Sequence, residues 1–69
     1  MIRQGDKFLC TEDVNNFLGW PLFKKGEVYN VLYVENEKAQ TYLVLDHILY
    51  GNEYMEYELD WILKNFKKI

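Results

Sequence analysis

Gly26 stands between a lysine pair and a run of strand-forming residues: Phe23, Lys24, Lys25, Gly26, Glu27, Val28, Tyr29, Asn30, Val31. Glycine admits the positive φ that tight turns demand, and Val28, Tyr29 and Val31 favour a pleated, partly buried backbone. The run therefore predicts a turn that feeds a strand over residues 27–34. Both faces of that strand are apolar, Val28, Leu32 and Val34 alternating with Tyr29, Val31 and Tyr33. Such a strand is either central in a sheet or bent so that it serves two sheets.

Its neighbours follow from the same patterning. Residues 6–11 read as an opening strand with Phe8 and Cys10 on one face and Lys7 and Leu9 on the other. Glu35, Asn36, Glu37 and Lys38 form a polar turn, and residues 40–45 return as a hairpin partner, Tyr42 and Val44 opposite Thr41, Leu43 and Leu45. After a short segment from His47 to Tyr50 and a Gly51, Asn52 turn, residues 54–59 alternate with Met55, Tyr57 and Leu59 inward and Glu56 and Glu58 outward. Asp60 is placed to cap a helical turn in which Leu59, Ile62, Leu63 and Phe66 recur at helical spacing, with Lys64, Lys67 and Lys68 at its far end. Residues 66–69 fit either the end of that helix or a final strand. No repeat or linker interrupts the chain, so residues 1–69 form one domain.

The connection over residues 12–23 is the exception to ordinary loop chemistry. Gly19, Trp20 and Pro21 argue against a helix there, yet Phe17, Leu18, Trp20, Leu22 and Phe23 are too many apolar residues for a solvated loop.

A chain of 69 residues buries only ~60% of its unfolded surface, and domains of this size often need a staple. Cys10 alone cannot close an intrachain disulfide, and His47 with no second cysteine cannot build a tetrahedral zinc site. Apolar residues, 49% of the chain, must do the work instead. Six Tyr, four Phe and two Trp exceed what so small a core holds, so several rings belong at the surface or in an interface. The lone thiol, the absence of a signal-like N-terminus and the lack of any apolar run near the ~20 residues that span a bilayer lead us to expect a soluble, cytoplasmic protein with no membrane contact.

Charge is uneven. Residues 1–25 sum to +1, residues 26–63 to −7 and the last six to +3. Phosphate binding draws on clustered Lys and Arg, so the acidic middle makes a general nucleic-acid binder the weaker expectation. Enzyme chemistry fails on inventory: Cys10 sits in an apolar strand, Glu56 and Glu58 are two exposed acids at spacing two, and no phosphate-cradling glycine loop or metal spacing is present. We expect no catalytic, cofactor or metal site.

With these elements in place the chain resembles small SH3-like β-barrel proteins encoded by bacteriophages and prophages. Phe8 to Cys10 matches their opening strand, Phe23 to Val31 their turn and strand, Glu35 to Lys38 their acidic hairpin turn, and Leu59 to Phe66 their C-terminal segment. The resemblance implies an all-β, five-stranded SH3-like barrel with a short helical turn near the C-terminus, closing over Val28, Val31, Leu43, Leu45, Tyr57 and Leu59. It also implies a small accessory protein that binds a host or antiviral-defence protein and inhibits or redirects it. The apolar segment with Trp20 at its centre departs from the polar loop of the family, which marks it as the place of a specific activity.

The candidate partner-binding residues are therefore Phe17, Leu18, Trp20, Leu22 and Phe23, with Tyr33 and other surface tyrosines such as Tyr50 and Tyr54. Trp20 and Phe23 could equally fold under the loop to enlarge the core, whereas Trp61 reads as core. Glu56 and Glu58 join the candidates through a second idea, that Glu53, Glu56, Glu58 and Asp60 imitate nucleic-acid phosphates toward a basic partner. The competing functions are a nucleic-acid or nucleotide binder using aromatics beside Arg3, Lys7, Lys24 and Lys25, and a homo-oligomer joined through the apolar loop.

Overall fold

The turn at Gly26 forms as its sequence demands. Gly26 has φ +92°, and the Glu27 N–H donates to the Lys24 carbonyl at 3.1 Å, the pattern of a type II turn. The turn is also tied to the opening strand, β1 (Lys7–Cys10): the Gly26 N–H donates to the Cys10 carbonyl at 2.8 Å and the Cys10 N–H to the Glu27 carbonyl at 2.9 Å. Our computed structural model describes residues 2–49 and 53–69. The expected turn at Gly51 and Asn52, and Tyr50 with it, lies outside them.

Among the described residues seven strands and one helix follow in chain order: β1, β2 (Val14–Asn15), β3 (Pro21–Phe23), β4 (Val28–Glu37), β5 (Gln40–Leu49), β6 (Glu53–Glu58), α1 (Leu59–Asn65) and β7 (Phe66–Lys68). Five strands make one antiparallel sheet in the order β6-β5-β4-β1-β7, and β2 with β3 makes a separate ribbon. Of residues 66–69, Phe66–Lys68 thus form a strand, with Phe66 opposite Cys10 on β1. The protein is mostly β with one short helix. The barrel expected from the resemblance is not closed, because among the described residues β6 pairs only with β5 and β7 only with β1. The chain between them forms α1, which packs on β5, β6 and β7 where a closing ladder would run.

β4 serves two neighbours in turn. Its first residues pair with β1, Tyr29 opposite Phe8, and the rest pair with β5 from Val31 opposite Leu45 to Glu37 opposite Gln40. Between Val31 and Tyr33 the register slips by one residue, a bulge that reverses which side chains face inward. Val31 faces the core before it and Val34 after it, so Tyr33 turns outward. The strand also runs past the expected polar turn. Its hairpin loop shrinks to Lys38 and Ala39, held by Thr41 Oγ1 donating to Asn36 Oδ1 at 2.8 Å across the ladder. β5 likewise extends unbroken through His47 instead of ending at Leu45.

The core is Phe8, Cys10, Phe23, Tyr29, Val31, Leu43, Leu45, Ile62 and Phe66. Each fully buried large side chain contributes about 1.5–3 kcal/mol, which is how so small a domain manages without a staple. Tyr57, Leu59 and Trp61 pack against this core from its margin, but Val28 does not join it. Val28 lies opposite Leu9 on the outer face and stays exposed, as does Met55 on β6. In α1, Ile62 is buried and Leu63 exposed, because two turns of helix present only one narrow stripe to the sheet, and Phe66 is buried where the chain enters β7. Asp60 is not the cap: Glu58 holds the N-cap position without a side-chain hydrogen bond, and Asp60 sits within the first turn. An outer staple joins three strands, Lys7 Nζ donating to Asn30 Oδ1 and the Asn30 N–H and Nδ2 donating to the Asp46 carboxylate at 2.6–2.8 Å.

Lys38 has φ +52°, the left-handed region that favours glycine. Lys38→Gly is expected to raise stability by about 0.5–1 kcal/mol, read as a higher urea midpoint at unchanged slope. Gly26→Ala, whose Cβ would meet nothing within 4 Å but would be held at positive φ, should lower it by about 1 kcal/mol.

Candidate functional site

The β2–β3 ribbon is joined by a five-residue loop, Asn16 to Trp20, built on Asn16. The Asn16 N–H donates to the Trp20 carbonyl at 2.9 Å, and the Gly19 N–H donates to the Asn16 carbonyl at 2.9 Å. Asn16 Oδ1 accepts two further bonds, from the Leu18 and Trp20 N–H groups, both at 2.9 Å. Gly19 at φ +84° supplies the left-handed residue that a loop of this length requires. These four hydrogen bonds on one asparagine hold the loop.

What that loop presents is apolar. Phe17 is 95% exposed, Leu18 67% and Trp20 66%, and with Asn16 they line a shallow open concavity. Phe17 and Trp20 carry ~150–250 Å² each, so the tip approaches the ~300–600 Å² of the largest apolar patch on a typical monomer. The loop is already ordered, so a partner that buries it meets little of the usual entropy cost of fixing a loop.

The ribbon's last residue has the opposite fate. Phe23 is 1% exposed and touches five rings, Tyr29 at 5.0 Å, His47 at 4.6 Å, Tyr57 at 5.5 Å, Phe66 at 5.1 Å and Trp61 at 6.2 Å between centroids. It is core, so its assignment to a partner surface is corrected, and Leu22 beside it is half-buried against the same cluster. Of the two rings that could have folded under the loop, Phe23 did and Trp20 did not. Trp61 stacks on Tyr57 at 5.3 Å and 18°, as its core assignment requires.

Tyr33, Glu56 and Glu58 lie elsewhere. Residues directly opposite in an antiparallel ladder share a face, so the register sets two outward rows on the β4-β5-β6 meander: Tyr33, Val44, Glu56 and then Glu35, Tyr42, Glu58. Glu35 and Tyr42 were not singled out as partners in this face, because their place depends on the β4 bulge, which no residue of the run announces. Asp60 leaves the ladder for the first turn of α1, so it does not continue the Glu56 and Glu58 row, and the Glu53 side chain lies outside what the structure describes. The cations proposed for nucleic acid are also dispersed. Lys7 begins β1 and is held by Asn30, whereas Lys24 and Lys25 stand on the Gly26 turn at the other end of that strand.

Cys10 is buried and its Sγ–H donates to the Glu12 carbonyl at 2.9 Å. Burial, more than the nearby acids, pushes this thiol above its ordinary range, away from the thiolate that a nucleophile or metal ligand needs. No group of three or more metal-ligating side chains gathers among the described residues. No helix among them is long and apolar enough to cross a membrane. Comparison with protein-family models, with curated proteins and with solved structures found no match to this chain.

Two expectations follow from the separation of tip and core. Phe17→Ser and Trp20→Ser should change unfolding free energy by less than about 0.5 kcal/mol, whereas Phe23→Ala should cost about 3–5 kcal/mol and leave little folded protein, as read by urea titration followed by circular dichroism. Tyr57 answers to pH. Its hydroxyl is buried without a partner among the described residues, and burial pushes its pKa up to about 12. The folded state therefore keeps the proton that the unfolded chain releases near pH 10, and stability is lost between pH 10 and about 12. Because the ring is only half-buried, the loss is about 1–2 kcal/mol. Tyr57→Phe should remove that share of the alkaline loss and leave stability at pH 7 equal or up to about 1 kcal/mol higher.

Proposed function

We propose that this chain is a protein-binding module of SH3-like architecture whose recognition element is the tip formed by Phe17, Leu18 and Trp20. Three features support the architecture: the sheet order β6-β5-β4-β1-β7, a ribbon inserted between β1 and β4, and a short helix between β6 and β7. The observation that carries the binding function is a pre-ordered loop with three large apolar side chains in water. Folding does not need those side chains outside, and phenylalanine, leucine and tryptophan on a rigid tip suit a partner with a concave apolar pocket. A nucleic-acid contact would need cations around the rings, and here they are scattered.

The resemblance to phage-encoded small barrels supplies the class of partner, a host or antiviral-defence protein in the bacterial cytoplasm that the module inhibits or redirects. Purified protein passed over bacterial lysate should then retain a stoichiometric protein partner. Trp20→Ser and Phe17→Ser, both folded, should each weaken capture by about 2 kcal/mol or more, roughly thirtyfold. Absence of any stoichiometric partner, or capture indifferent to both substitutions, would sink the proposal. Retention of nucleic acid that vanishes with salt would favour the nucleic-acid reading instead, and a concentration-dependent rise in light-scattering mass abolished by Trp20→Ser would favour a homo-oligomer.

A further inference from the structure

The outermost strand of the sheet offers a second surface, of different chemistry from the tip. β6 is paired with β5 along one side, and among the described residues no backbone hydrogen bond joins its other side to any strand. A sheet edge with unpaired N–H and C=O groups accepts a further strand unless proline, charge or a covering element prevents it. β6 has no proline, and Tyr54, Met55 and Glu56 are exposed.

The side chains of β6 specify which strand would fit. Its outward row is Tyr54, Glu56, Glu58 and its inward row is Met55, Tyr57. A second copy offering its own β6 antiparallel about Glu56 or Tyr57 would bring glutamate against glutamate, and like charges facing across a ladder are destabilising. The other edge of this protein is a poor complement as well, since β7 has three residues and its Lys68 already faces Asp6 at 3.8 Å. That contact is the single ion pair among the described residues, so Glu56 and Glu58 have no cation of their own chain within reach.

We propose that the free edge of β6 receives an extended segment of a partner protein in which Lys or Arg alternates with apolar residues. The cations lie beside Glu56 and Glu58 on the outward face, and an apolar side chain lies beside the exposed Met55 on the inward one, since the place beside Tyr57 is taken by Trp61 of α1. Main-chain hydrogen bonds supply affinity, and the alternation sets the register. The edge acts independently of the tip, so each can fail without the other.

The test titrates the wild-type protein with a soluble peptide that alternates lysine and valine, followed by amide hydrogen exchange. Protection of backbone amides within residues 54–58 is expected, with loss of binding when a proline interrupts the peptide or glutamate replaces its lysines. The pair Glu56→Lys and Glu58→Lys should weaken binding about tenfold, and Trp20→Ser should leave it unchanged. No binding at low ionic strength, protection at another strand, or equal binding of the proline-interrupted peptide would overturn the proposal. Protection of the same amides by self-association without peptide would assign the edge to a second copy and overturn it too.

Discussion

Phe23 is the group around which this small protein closes. It arrives at the end of a two-stranded ribbon that pairs with nothing else in the sheet, and its ring is met by rings from β4, β5, β6, α1 and β7. An open five-stranded sheet has a concave side that five strands alone cannot cover, and here one phenylalanine, reinforced by Ile62 and Phe66 from the helix and its exit, fills it. The edge-to-face contacts with Tyr29, Tyr57 and Phe66 add directionality to the area term. They fix where the ribbon leaves the body, and so where its tip projects.

The open sheet and its irregularities divide the surface into regions of distinct chemistry. One residue of slippage in β4 separates Val31, turned inward, from Tyr33, turned out, and a second irregularity in the β5–β6 ladder lies between Val44 and Ile48. The meander therefore presents tyrosines and glutamates outward while Leu43, Leu45 and Tyr57 face Phe23 and its neighbours. Because α1 takes the place of a closing ladder, β6 keeps an edge that no strand among the described residues pairs with.

Much of the fold was legible where local chemistry and burial agree. The Gly26 turn, the Phe8 and Cys10 face of β1, the β4–β5 hairpin and the helical turn before the end all follow from residue type and period. The misplacements share a cause: period-2 reading assumes an unbroken register. It set Val31 and Tyr33 on one face, which the β4 bulge separates, and it ended β4 early, because the two-residue turn at Lys38 uses a backbone state that lysine seldom adopts. The site was legible in part. Apolar excess over residues 17–23 marked the loop, but nothing local distinguishes Trp20, which stays in water, from Phe23, three residues on, which does not. That choice is made by the cup of rings around Phe23, a long-range property. The outer face was harder still, since Glu35 and Tyr42 join Tyr33, Glu56 and Glu58 only through ladder register.

Asn16 gives the exposed apolar loop a peculiar independence. Both backbone amides it binds with its side chain, and both backbone bonds it makes, are indifferent to what residues 17, 18 and 20 carry. Sequence drift at those three positions is thus uncoupled from folding, whereas drift at Asn16 or Gly19 is not. The three side chains can therefore be rewritten one at a time without the chain passing through an unfolded intermediate.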